Sequence, residues 1–188
     1  MEAYLVDSFH PMADAIALEG IKMILENLPK VIENPKDLDA MWRGIANGTF
    51  TTFSSDHAPS TYDHSGGKKL GLKDGIMTYK SIPNGVPGVE TRLPLLFSHA
   101  GQEKTSRLSL QRFVQLTSSD PAKLYGLEGV KGNIAPGCDA DLVIWYPENE
   151  IEGGVVIEQK MLHHGVDYTP YEGMSVRNWP RYTILRGK

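Results

Sequence analysis

The chain has 188 residues, 40% of them apolar and 22% charged, and a formal net charge of −4. That length holds one good core or a domain with an appendage, and mild acidity without a dense Lys/Arg run speaks against a nucleic-acid or acidic-membrane surface. A single cysteine, Cys138, excludes an internal disulfide framework and fits a reducing compartment; no apolar run approaches the ~20 residues of a bilayer span, and acids stand where a signal peptide carries positive charge, so the cytoplasm is the expected location.

From Pro11 to Ile32, apolar residues recur at Ala13, Ala17, Ile21, Ile24 and Leu28, which is helical spacing with one face to bury, and Pro29 ends or bends the run. Asn34-Pro35 breaks the chain, and Asp37 is placed to cap a second helix over 38–46 whose buried face carries Leu38, Met41, Trp42 and Ile45. Asn47-Gly48 closes it. The β-branched and aromatic run from Thr49 to Ser54 then predicts a short buried strand, stopped behind by Pro59. Helix, loop and strand in that order make the half-unit of an α/β fold. Asp56 falls at the strand's C-terminal end, facing the loops, where it reads equally as a catalytic carboxylate or as the cap of a turn before Pro59.

Between Pro59 and Pro87 the composition shifts to Gly, Ser, Lys and Pro, and a loop this long in a compact protein is usually functional. A helix is expected over 89–100 with Pro94 tolerated early. A stronger one follows, capped by Ser109 and burying Leu110, Phe113, Val114, Leu116 and Thr117. A short third helix runs from Pro121 to Tyr125 and ends at Gly126. Beyond Gly129 the period changes to two: turn chemistry at 133–137, then strands over 141–146, 154–157 and 181–186, a small β appendage.

The histidines stand at 10, 57, 64, 99, 163 and 164, without a His-x-His pair to put two imidazoles on one strand face, so spacing alone assembles no complete metal site. His57, next to Asp56 on the strand, is expected to point to the opposite face in a structural role. His64 reads as a solvated loop residue, and the adjacent His163 and His164 diverge. Asn84-Gly85 between two prolines makes either an ordinary turn or a rigid loop whose free backbone groups bond a planar amide. Lys68-Lys69 lacks the spacing of a phosphate loop, and Cys138 reads as a turn residue, not a nucleophile.

Taken in order, Asp39-Ala40-Met41-Trp42-Arg43-Gly44-Ile45-Ala46-Asn47-Gly48 into Ser54-Ser55-Asp56-His57-Ala58-Pro59 resembles the last helix and eighth strand of an amidohydrolase-superfamily barrel. Ile82-Pro83-Asn84-Gly85-Val86-Pro87-Gly88-Val89-Glu90-Thr91-Arg92, Pro121-Ala122-Lys123-Leu124-Tyr125-Gly126-Leu127, Asp139-Ala140-Asp141-Leu142-Val143-Ile144-Trp145 and the tail Gly165-Val166-Asp167-Tyr168-Thr169-Pro170-Tyr171-Glu172-Gly173 resemble its dihydropyrimidinase/hydantoinase branch. The resemblance covers about residues 38–188.

It implies an α/β fold: the C-terminal end of a (β/α)₈ TIM-type metallo-hydrolase barrel over 38–128, incomplete, with a small β-sandwich appendage over 129–188. It implies ring opening of a small cyclic amide or ureide by metal-activated water, with two zinc-class ions and a homo-oligomer, a tetramer in the family. Asp56 matches the aspartate that binds metal and shuttles a proton to the leaving nitrogen, and Asn84 the residue whose main chain grips the ring amide. Ser60 stands where the dihydroorotase pattern has a substrate-binding histidine. The family's histidines and bridging lysine lie upstream of the matched stretch, so the chain alone is expected to be inactive. Residues 1–37 instead resemble a helical stretch of iron-dependent alcohol dehydrogenases, through Glu2-Ala3-Tyr4 and His10-Pro11-Met12-Ala13-Asp14. The alternative is a non-catalytic, dihydropyrimidinase-related scaffold or assembly protein; such proteins tend to lose metal ligands, so the presence of Asp56 favours an enzyme lineage.

Overall fold

In the computed structural model the described residues are 35–63, 66–73, 76–77, 82–101, 106–147 and 150–188. The expected helix over 11–32, His10 and His64 lie outside them. The described residues divide into two compact units, one of residues 55–92 with 156–174 and one of residues 35–54 with 93–155 and 175–188. No helix among the described residues is long and apolar enough to cross a membrane.

The second unit opens with α1, Pro35–Asn47. It starts two residues before Asp37, because Pro35 suits a first helical turn, where its missing N–H has no intrahelical partner to lose. Trp42 and Ile45 are buried as their spacing predicts. The expected strand over 49–54 takes no strand assignment, and among the described residues it pairs with no strand. It is tied instead to the helical run that follows later in the chain: Phe53 N–H donates to Leu116 C=O at 3.1 Å, and the Arg112 guanidinium donates to Phe50 C=O.

Helix α2, Arg92–Phe97, is shorter than the predicted span, with residues 89–91 in a turn before it. Ser109 caps α3, Leu110–Val114, as expected: its Oγ accepts from Arg112 N at 3.1 Å. The two helices predicted over 109–125 form one run, because a wider turn at Gln115–Ser119 joins α3 to α4, Asp120–Leu124. Asp120 N–H reaches back to Gln115 C=O, five residues away. Pro121 has no N–H for an ordinary helical bond, and the wider turn absorbs that gap. Phe113 and Leu116 are buried as predicted, whereas Leu110 and Val114 are exposed and Arg112 takes the buried place.

Strands β1, Leu72–Lys73, and β2, Ile76–Met77, form a short antiparallel pair in the first unit. In the second unit β3, Leu142–Trp145, pairs antiparallel with the last strand, Pro180–Ile184, with a register shift at Ile144/Trp145. Phe97 stacks on Trp145 at 4.2 Å between centroids and meets Phe113 edge-on at 5.4 Å, so the aromatic core ties α2 and α3 to that ladder.

Candidate active site

All the site residues lie within the first unit. Asp56 sits at φ 44°, a left-handed conformation that Asp tolerates better than most residues, and its residue is exposed. Directly after it the chain makes a parallel bridge, His57↔Val86, and Ala58 N–H donates to Val86 C=O at 3.2 Å. The end of the extended stretch is thereby laid against the loop that carries Asn84. Gly85 permits this approach: at φ 77°, an added Cβ would stand 2.4 Å from Ala58 Cβ and 2.6 Å from its carbonyl oxygen.

The loop is held on both sides. His57 Nδ1 accepts from Gly88 N–H at 3.0 Å and from Val89 N–H at 3.3 Å. Lys68 Nζ donates to the carbonyls of Pro83, at 2.5 Å, and of Gly85, so two carbonyls of the loop are engaged from within. Asn84 lies between them, exposed, and among the described residues no group hydrogen-bonds its own N–H and C=O.

The tail closes over neighbouring backbone. Asp167 accepts from Tyr62 N–H at 2.6 Å and Asp63 N–H at 2.9 Å, and these bonds, Tyr62's first, lower its pKa by favouring the carboxylate. His163 is exposed and bound to Glu90 twice, through its N–H at 2.7 Å and its Nδ1 at 2.8 Å. Both nitrogens of His164 are buried without a hydrogen-bond partner among the described residues, and that burial lowers its pKa. Its ring lies 6.5 Å from that of His57. Ser60 Oγ is likewise buried and unpartnered among them. Cys138, in the other unit, is a turn residue as expected, its N–H donating to Ala135 C=O at 3.1 Å.

The structure therefore brings Asp56 and the Asn84 loop together across the His57↔Val86 bridge, while His163 belongs to Glu90. Two residues in this arrangement had no strong local signal. Lys68, an isolated cation beside glycines, acts on carbonyls 15 and 17 residues away. Glu90 finds its partner 73 residues downstream.

Among the described residues no group of three or more His, Cys, Asp or Glu side chains is placed to hold a metal ion. Asp56 is a carboxylate, and His57 and His163 each hold Nδ1 in a bond to the loop or to Glu90, but these residues do not gather into a group of three donors. The two-ion zinc centre implied by the resemblance does not fit the described donor set, since each catalytic ion wants about three protein ligands.

The model of the amidohydrolase family matches residues 8–188, a span that opens within the stretch suggestive of a dehydrogenase helix. The chain is 42% identical to the D-hydantoinase of Ralstonia pickettii over 153 residues, 81% of this chain and 31% of that protein. It is 38% identical to the D-hydantoinase of Rhizobium radiobacter over 170 residues, 90% of this chain and 34% of that one. Among solved structures, D-hydantoinase (dihydropyrimidinase) from Thermus sp. superposes with a TM-score of 0.69 at 32% identity, covering 84% of this chain and 31% of that one. The chain thus spans about a third of the length of the curated relatives it matches. Matched by the family model over residues 8–188, nearly its whole length, this chain belongs to the amidohydrolase family.

Proposed function

We propose that the chain carries part of the active site of a hydrolase that opens cyclic amides or ureides of the hydantoin and dihydropyrimidine type. The observation that carries this reading is the His57↔Val86 bridge, which lays the chain just after Asp56 against the loop just after Asn84. Hydrolysis of a ring amide needs water to lose a proton and the leaving nitrogen to gain one, because an unprotonated amide nitrogen is a poor leaving group. Asp56, at an exposed chain corner, takes the first proton and delivers it to the second site. The main-chain N–H and C=O of Asn84 pair with the C=O and N–H of the ring, which orients the scissile bond. The hydantoinase names of the relatives support the substrate class.

By the same reading, residues 38–128 are the end of a (β/α)₈ barrel, residues 129–188 its β appendage, and the working enzyme a zinc-dependent, cytoplasmic homo-oligomer. On this reading the chain alone is inactive, because Asp56 is the one metal ligand it assigns and each catalytic ion wants about three protein ligands. Incubated with zinc and desalted, the purified chain should retain no stoichiometric metal and open neither dihydrouracil nor hydantoin; two retained zinc ions per chain would overturn this. The positive arm installs the chain in place of the matching third of the Ralstonia enzyme. That hybrid should open hydantoin, and Asp56→Asn within it should lower kcat by about 10²–10⁴-fold with a smaller change in KM. Undiminished turnover by the Asp56→Asn hybrid would sink the role given to Asp56.

A further inference from the structure

We propose that His57 is a positioning residue whose imidazole Nδ1 fixes the corner of the Asn84 loop and so sets where the ring-binding main chain stands relative to Asp56. The proposal rests on the roles given above to Asp56 and Asn84.

Residue 57 grips the loop twice. Its backbone takes part in the bridge to Val86, followed at once by the Ala58 N–H to Val86 C=O bond. Its side chain reaches farther along the same loop, where Nδ1 accepts the N–H groups of Gly88 and Val89. One nitrogen accepting two donors must carry its lone pair, so the neutral ring has its proton on Nε2. The tautomer is thus set by the loop and not by any substrate.

Gly88 and Val89 lie in the turn just before α2, where Arg92 N–H already closes onto Gly88 C=O. N–H groups at a helix entry have no intrahelical acceptor and need one from elsewhere. His57 supplies it from the residue after Asp56. On the opposite flank of Asn84's neighbours, Lys68 engages the carbonyls of Pro83 and Gly85. The loop therefore has its carbonyls held by a cation and its amides by an imidazole, and Asn84 keeps its own groups between the two clamps. Gly85 lies so near Ala58 that an added Cβ would overlap it, so the loop and the chain after Asp56 are in direct contact between the two clamps.

The test is NMR on the full 188-residue chain, with amide exchange as the main readout. The imidazole of His57 should show Nδ1 as the hydrogen-bonded acceptor and Nε2 as the protonated nitrogen, and the amides of Gly88 and Val89 should be protected. His57→Leu should lower protection at those two amides about tenfold while leaving Ala58 and Gly173, bonded elsewhere in the same unit, within about twofold. His57→Asn should restore protection at Gly88, because Asn Oδ1 stands as many bonds from Cβ as Nδ1 does. Unprotected Gly88 and Val89 amides in the parent chain, equal loss at all four amides in His57→Leu, or failure of the Asn variant to rescue would each overturn the proposal. A negative result in the hydantoin assays above sinks the functional reading instead, and leaves these amide measurements to decide the role of His57 by themselves.

Discussion

Gly85 is the residue on which the geometry of the candidate site turns most sharply. Two constraints meet there: a φ of 77°, which a Cβ disfavours, and an Ala58 backbone so near that the Cβ would overlap its carbonyl oxygen at 2.6 Å. The obstruction is backbone, not the far end of a flexible side chain, so it cannot be relieved by a rotamer change. Gly85→Ala should therefore cost about 1–3 kcal/mol, measured by chemical denaturation, and should strip protection from the Ala58 amide, whose acceptor is the adjacent Val86 carbonyl. Wild-type stability in that variant would mean that the loop does not lie against the chain after Asp56. Asp56 carries the related feature at φ 44°, a left-handed conformation that Asp tolerates better than most residues.

At the scale of elements, Arg112 decides how α3 meets the extended stretch after α1. Its Nε donates to Ile45 C=O at 2.7 Å, its guanidinium to Phe50 C=O and to Gln115 Oε1 at 3.2 Å, and it pairs with Asp120 at 3.0 Å. Arg112→Met keeps comparable apolar bulk but leaves buried carbonyls and a part-buried carboxylate unpaired, and should cost about 3 kcal/mol or more. Arg112→Lys should recover less than half of this, since an ammonium cannot span the same acceptors; denaturation followed by tryptophan emission reads both. The helical periodicity of residues 109–117 placed Phe113 and Leu116 in the core and the Ser109 cap at the start, because capping and amphipathicity are local. It could not reveal a buried Arg112, whose acceptors lie 62 and 67 residues upstream. The same division holds at the site. Asp56 and Asn84 stood out through local turn chemistry and motif resemblance, whereas the grip of His57 on Gly88 and the hold of Lys68 on the loop depend on contacts made only by folding. The two-residue strands, such as Ser175–Val176, are too short to display a period at all.

At the scale of the whole molecule, the two units should yield to acid at different pH. In the first unit, the pKa of His164 is lowered, chiefly by burial, with the nearby Glu90 carboxylate opposing this and His57 reinforcing it. The folded state then binds that proton less readily than the unfolded chain, so stability present at neutral pH declines as pH falls below about 6.5, the unfolded value. Asp167 in the same unit, and Asp141 in the other, held by Lys131 and by Arg186 N–H, also have lowered pKa values. Their contributions are complete above the unfolded carboxylate value of about 3.9 and are lost only as pH falls through the lower folded values. The first unit therefore meets an acid step as pH falls below about 6.5. Trp42, Trp145 and Trp179 all belong to the second unit, so tryptophan emission reports on it, while exchange at the Ala58 and Gly173 amides reports on the first. In a Trp42→Phe variant, which removes the ring lying 4.7 Å from that of His99, lowering pH from about 7 to about 5 should loosen those amides and leave the emission of Trp145 and Trp179 in place, with that emission moving only below about 4. His164→Phe, which keeps an aromatic ring and removes the titrating group, should abolish the first step and spare the second. Simultaneous loss of both signals, or emission moving first, would show that the burial of His164 does not govern the acid response of its unit.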